Sequence, residues 1–376
     1  MLRITTLLAA TALSTAAWSQ ETVKFADPIE LSGDGATVGV LWKNAVDLAV
    51  KEINDKGGLL NKKIVVTHYD TQTNPGVSRA QVQKALDEKP YVILGPIYSG
   101  SIKVNMPLAQ QAEIPQIMGG EAADLTQLGN AYLFRTSFGQ QMSMPKIAAY
   151  MADEAKVKSV ALLYVNNDFG KGGRNTFKAE MEKRGVKVLA DVSAEAGQVD
   201  FASDVGKMKS SGADAVFVYM NEEESARFLT EARKQDMKQP VFGETTILNQ
   251  KVIELAGAAA NGVKGHIGLS ADAPVKAIAD FATRYRAAFK DSPDHNAIKA
   301  YMGVYAVKAM TERIGKFDSK ALAAALHGAT ITPAQEPGIL METTWDKNGD
   351  VDRESFLAEI IDGKQKITRT LPKLNK

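Results

Sequence analysis

Three glycines open the chemistry of this chain. In "ELSGDGATVGVLWKNAVDLAV", Gly33, Gly35 and Gly39 fall between a short apolar alternation at 22–25 and an amphipathic helical pattern. A glycine-rich turn between strand and helix is how a dinucleotide fold cradles a pyrophosphate. That fold also wants an acidic residue about 20 positions on, for the ribose hydroxyl. Asp70 ends the next strand pattern but lies 31 residues after Gly39. The spacing argues against NAD(P) and for a tight turn at the carboxyl edge of a sheet, where open α/β sheets bind ligands of many kinds.

Other reactive constellations are missing from the sequence. There is no phosphate-binding P-loop and no Gly-x-Ser-x-Gly elbow around Ser99 in "PIYSGS". His68, His266, His295 and His327 are scattered, without the i, i+4 pairing of a zinc site. "DKNGDVD" at 346–352 has its glycine at the fourth position and Leu357 at the twelfth, so it reads as a solvated hairpin turn rather than a calcium loop. With no cysteine in the chain, disulfides, thiolate metal sites and cysteine nucleophiles are excluded. No metal or cofactor is expected, and no nucleophile–base–orienter set can be assembled, so an enzyme is not expected either.

What remains lies on strand-to-helix loops. In "GPIYSGS" the strand stops at Gly95 and a helix begins near Ser99 or Gly100. Ser99, Ser101 and the first free N–H groups of that helix make a carboxylate site without any basic residue. A serine acting only as a helix cap would look the same. "MGGEAADLT" places Gly119 and Glu121 at a second strand end, the glycine for close backbone approach and the glutamate for a cation. In the second half, "YVNNDFGKGG" puts Phe169 on such a loop, "YMNEEES" Asn221, and "FGETT" Glu244 and Thr245.

The elements that must position these loops alternate throughout. Strand patterns at 63–69, 91–95 and 114–118 are separated by helical ones at 75–86 and 99–111. The rhythm restarts after 132–137 with a helix at 142–154, strands at 159–165, 213–220 and 240–244, and helices between them. Strict alternation implies βαβ units and parallel sheets. Two doubly wound α/β lobes fit better than one large sheet at this length. Lobe 1 is assigned 20–138 with 267–338, and lobe 2 139–266 with 339–376, joined by three short crossovers. The tail adds helices at 275–290 and 297–314, then two β segments about an Asn348-Gly349 turn.

The first 19 residues read as a signal peptide: one positive charge at Arg3, an uncharged apolar run, then Ala17 and Ser19 before a cut ahead of Gln20. No later segment has the ~18 uncharged apolar residues of a membrane span. Of the 45 basic residues only Arg3 lies in that leader, so the remainder equals the 44 acidic ones. That balance argues against nucleic acid or an anionic membrane as partner. The expected product is an exported monomer.

Taken in order, "ELSGDGATVG…AVDLAVKEINDKGGLLNKKIVVTHYDTQTNP", "YVILGPIYSGS", "IPQIM…ADLTQLGNAYLFRTS" and "VALLYVNNDFGKGG" resemble the branched-chain-amino-acid type of periplasmic solute-binding protein, over about 22–367. The resemblance implies a type I periplasmic binding protein fold, with a ligand clamped between two lobes and handed to the membrane permease subunits of an ABC transporter. It implies that Ser99 holds a ligand carboxylate; Tyr98 and Gly100 flank that serine in the same loop and are counted with the site. It places Gly119 and Glu121 at a backbone contact and a threonine position, and Phe169 and Asn221 where tyrosines are common. Thr245 falls where an acidic residue pairs the ligand ammonium, with Glu244 one residue earlier. Either Glu121 or Glu244 supplies that anion, or the ligand has no ammonium. In the second case the ligand is an aromatic or aliphatic carboxylate, or an amide, walled by Tyr98, Phe169 and Trp42. A ligand-sensing module on the same fold is the alternative to uptake.

Overall fold

The computed structural model describes residues 21–374, so the expected signal peptide lies outside the described residues. The first lobe runs β1 (Thr22–Ile29), α1 (Ala36–Asp55), β2 (Lys63–Asp70), α2 (Pro75–Asp87), β3 (Val92–Leu94), α3 (Ser99–Ala112), β4 (Gln116–Met118) and β5 (Leu133–Arg135). Its five strands are all parallel, in the order β2-β1-β3-β4-β5. The chain then enters the second lobe through α4 (Gln140–Ala149), β6 (Ser159–Val165), α5 (Asp168–Lys183), β7 (Lys187–Ala194) and α6 (Ala202–Ser210). It continues through β8 (Ala215–Tyr219), α7 (Glu222–Lys234), β9 (Val241–Gly243), α8 (Gln250–Ala256) and β10 (Lys264–Ile267).

After β10 the chain crosses back. α9 (Lys276–Phe289), α10 (His295–Ile314) and α11 (Ser319–Leu326) follow, then the short strands β11 (Thr330–Ile331), β12 (Thr343–Trp345) and β13 (Val351–Asp352). A third crossing leads to β14 (Ser355–Ile361) and β15 (Lys364–Leu371), which extend the second sheet to β15-β14-β10-β9-β8-β6-β7. Only the pairings of β14 in that sheet are antiparallel. The chain therefore passes between the lobes at 136–139, 268–275 and 353–354.

The tail departs from expectation in one respect. The two segments about Asn348-Gly349 do form a hairpin, β12 with β13, with Gly349 at φ +80°, but β12 pairs on its other edge with β11. The side chain of Asp350 is buried against Arg135 Nε at 2.5 Å and Thr126 Oγ1 at 2.6 Å. Residues 339–352 thus stay with the first lobe, and the return to the second comes at Ser355 rather than at 339.

The core that holds the site is legible in α1. Val38, Leu41, Trp42, Ala45, Val46, Ala49 and Ile53 recur at three- and four-residue spacing and are all buried. Each of the larger ones stabilises by about 1.5–3 kcal/mol. They face β1 and α10; Tyr285 of α9 donates its hydroxyl to Leu41 O at 3.2 Å. The helix stops where Gly57 and Gly58 turn to φ +105° and +83°, and Gly58 N donates to Ile53 O at 3.0 Å. β1 is buried on both faces from Phe25 onward, as a central parallel strand must be. Its buried charge, Asp27, accepts from Trp42 Nε1 at 3.0 Å and meets His68 Nδ1 at 2.7 Å. Among the described residues, no helix is long and apolar enough to cross a membrane.

Candidate functional site

The loop after β1 is fixed by Asp70. Its carboxylate accepts from Leu31 N at 3.0 Å, Ser32 N at 3.1 Å and Ser32 Oγ at 2.7 Å. Asp70 is spent on shaping this loop. The glycines do the rest. A Cβ on Gly39 would lie 1.7 Å from Glu30 O, and one on Gly35 2.6 Å from the Tyr98 ring. They bring helix, strand and Tyr98 together.

The loop after β3 is fixed by Glu30. This fully buried carboxylate accepts from Ile97 N and Tyr98 N, both at 3.1 Å. Burial pushes it up to about 7, against those two hydrogen bonds. The next residues start α3, whose N-terminus has no side-chain cap. Its orphan N–H groups and positive dipole end are left for another partner. Ser99 Oγ accepts from Ala122 N at 3.3 Å, so its own proton is free to donate. The Ser101 hydroxyl is buried without a hydrogen-bond partner among the described residues.

These loops open onto a cavity of about 240 Å³ between the lobes. That is below the ~300–1,000 Å³ of sites for drug-sized ligands, which suits a small solute. From the first lobe, Ile97, Tyr98, Ser99, Gly100, Gly119 and Glu121 line it. Asn167, Phe169, Asn221, Glu222, Glu224 and Thr246 line it from the second, and His295, Asn296 and Lys299 of α10 run along it.

Lys299 changes the reading of Glu121. Its ammonium sits 2.6 Å from Glu121 Oε1 and donates to Gly119 O at 3.3 Å, with both side chains buried. Ser137 Oγ donates to the same Glu121 oxygen at 3.3 Å. Burial raises the Glu121 carboxyl, while Lys299 opposes the rise. The glutamate expected to take a ligand cation already holds one from its own chain.

Across the cavity, Phe169 stacks on Tyr219 with ring centroids 4.3 Å apart, and Gln140 Nε2 donates to Phe169 O at 2.7 Å and Tyr219 Oη at 3.0 Å. Asn167 caps α5 through Gly170 N at 2.9 Å. The lobes meet at the cavity mouth: Lys103 of α3 lies 3.1 Å from Asp168 of α5 and 2.7 Å from Asp124. Gly197 of the second lobe comes close to Asp34 of the first.

Of the residues singled out from sequence, Tyr98, Ser99, Gly100, Gly119, Glu121, Phe169 and Asn221 are brought together at this cavity. Trp42, Glu244 and Thr245 do not line it. Trp42 is packed behind Gly119, where an added Cβ would meet its ring at 2.8 Å. Glu244 is turned inward to His266 Nδ1 at 2.9 Å and the Thr245 hydroxyl at 2.6 Å. The 3₁₀ turn at Thr245–Leu248 presents Thr246 instead. Sequence reasoning missed His295, Asn296 and Lys299. Their signal is a polar i, i+1, i+4 set within the apolar run "HNAIKAYMGVY".

The sequence profile of the family described as "Periplasmic binding protein" matches residues 22–365. The chain is similar to a leucine-, isoleucine-, valine-, threonine- and alanine-binding protein of Pseudomonas aeruginosa, 24% identical with 94% of each chain covered. It is similar to the solved substrate-binding protein of a branched-chain amino acid transporter from Streptococcus pneumoniae in complex with isoleucine. There the TM-score is 0.84 and the identity 25%, covering 94% of this chain and 100% of that one. It is also similar in fold to an ABC-transporter solute-binding protein from R. palustris in complex with benzoate, with TM-score 0.86, 21% identity, and 94% and 98% covered.

Proposed function

This chain belongs to the periplasmic binding protein family, and we propose that it captures a small carboxylate-bearing solute between its lobes and delivers it to an ABC permease from the periplasm, without catalysis. The observation that carries the ligand class is the start of α3: uncapped N–H groups, the free Ser99 proton and the unpartnered Ser101 hydroxyl all border one cavity that also holds Lys299. The α3 N–H groups donate and the two hydroxyls can donate beside them, so the complementary ligand group is an acceptor with negative charge. An amino acid is the first candidate, because the relatives are named for branched-chain amino acids. A benzoate-type acid is the second, because Tyr98 and Phe169 offer aromatic walls and a structural neighbour was solved with benzoate.

Calorimetric titration of the wild type and Ser99→Ala with L-leucine, L-lysine and benzoate tests the proposal. Ser99→Ala should weaken the bound acid by about 1.5–3 kcal/mol, the range for a hydrogen bond to a charged group. Equal affinity for both proteins would show that Ser99 is a helix residue only.

A further inference from the structure

The end of the cavity away from Lys299 is acidic. Glu222 and Glu224, in the first turn of α7, are 8% and 3% exposed, and Asp34 approaches from the first lobe. Glu121 has Lys299, but no ion pair to Asp34, Glu222 or Glu224 forms among the described residues. Lys251 borders the adjoining recess without coming within ion-pair distance. The partners that do exist are neutral: Asn249 Nδ2 donates to Glu222 Oε1 at 3.1 Å, and Gly197 N to Glu224 Oε1 at 2.7 Å. The α7 dipole offers roughly half a positive charge, too little for two buried carboxylates. Leaving such charges unpaired costs several kcal/mol unless they take up protons or a cation.

Two further observations bear on these carboxylates. Burial, and then Asp294, push Glu222 up to about 8, so near neutral pH a proton stands where a positive group is wanted. Thr246 lines the same cavity with its hydroxyl buried and, among the described residues, without a hydrogen-bond partner. The hydroxyl is an acceptor as well as a donor and suits an N–H group.

α10 gives the spacing. Asn249 links Glu222 to Asp294, the N-cap of α10, at 3.1 and 3.0 Å, and Lys299 meets Glu121 five residues further along that helix. Five residues are about 7.5 Å of helix axis.

We propose that Glu222, Glu224 and Asp34 form a cation subsite, so that the solute is a carboxylate carrying an ammonium or guanidinium group several bonds away, rather than an amino acid with an apolar side chain. This rests on the carboxylate reading of the α3 end.

The test is calorimetry on the wild type, Glu224→Gln and Asp34→Asn with L-lysine, 6-aminohexanoate, L-leucine and benzoate. Asp34 is exposed on a loop, so its variant keeps the test alive should Glu224→Gln fold poorly. The expected result is that lysine or 6-aminohexanoate binds at least tenfold tighter than leucine and benzoate. Each variant should then erase most of that margin while leaving leucine affinity unchanged or improved. Tighter binding of leucine or benzoate, weakened by Ser99→Ala, would overturn the cation subsite and leave the carboxylate reading standing. Binding of none of the four acids would overturn both.

Discussion

Replacing Lys299 by methionine tests the buried pair at the centre of the site. The substitution keeps most of the side chain's volume and removes the ammonium 2.6 Å from Glu121. Breaking a buried pair by deleting one partner costs about 3–5 kcal/mol if the survivor must stay charged. Here the survivor has an escape. A carboxyl with ordinary value 4.5 can accept a proton, at a cost of about 1.36 kcal/mol per pH unit above that value. The charge penalty is therefore capped near 3.4 kcal/mol at pH 7 and near 0.7 kcal/mol at pH 5. Because burial already raises Glu121 in the wild type, the measured differences should fall somewhat below these caps. The sign is that of a raised carboxyl: the penalty is absent at low pH and grows as pH rises. Urea unfolding of the wild type and Lys299→Met at pH 5 and pH 7 measures it. The double variant Glu121→Gln/Lys299→Met should lose the pH dependence and recover part of the stability at pH 7. An equal loss at both pH values, or no recovery in the double variant, would refute the reasoning.

Two other outcomes follow from local geometry. Burial alone would lower His68, but hydrogen bonds to Asp27 and Asp47 raise it to about 9, so its contribution, on the order of 3 kcal/mol at most, is fully present below about pH 6.5 and lost as pH climbs through 9. His68→Gln should flatten the alkaline limb of the stability profile measured by urea unfolding. Gly39→Ala sets a methyl 1.7 Å from Glu30 O, so helix and strand must separate; a fall of more than about 2 kcal/mol in unfolding free energy is expected, and an unchanged melting temperature would contradict that packing.

The parts that sequence made legible are those governed by local chemistry. The loop at Ser99 is announced by a strand ending in Gly-Pro and a serine-rich helix start. The α1 core is announced by its three- and four-residue spacing. Residues supplied by distant segments were not legible. Lys299 lies 178 positions from Glu121, and only the fold brings the two together. A shift of one position in a 3₁₀ turn decides whether Thr245 or Thr246 faces the cavity, and loop patterns do not resolve such a shift. The return to the second lobe at Ser355 is hidden in the sequence because only two residues separate the hairpin at 343–352 from β14. A buried ion pair to Arg135 and a change of sheet separate them.

The central claim is that a solute is clamped by groups from both lobes. If so, it binds the closed form more tightly and shifts an open–closed equilibrium by that difference. Small-angle X-ray scattering on the wild type, alone and saturated in turn with L-lysine, L-leucine and benzoate, measures this directly. The radius of gyration should fall with the acid that calorimetry shows to bind, and Ser99→Ala should need more of that acid for the same fall. A radius unchanged at saturation would contradict it.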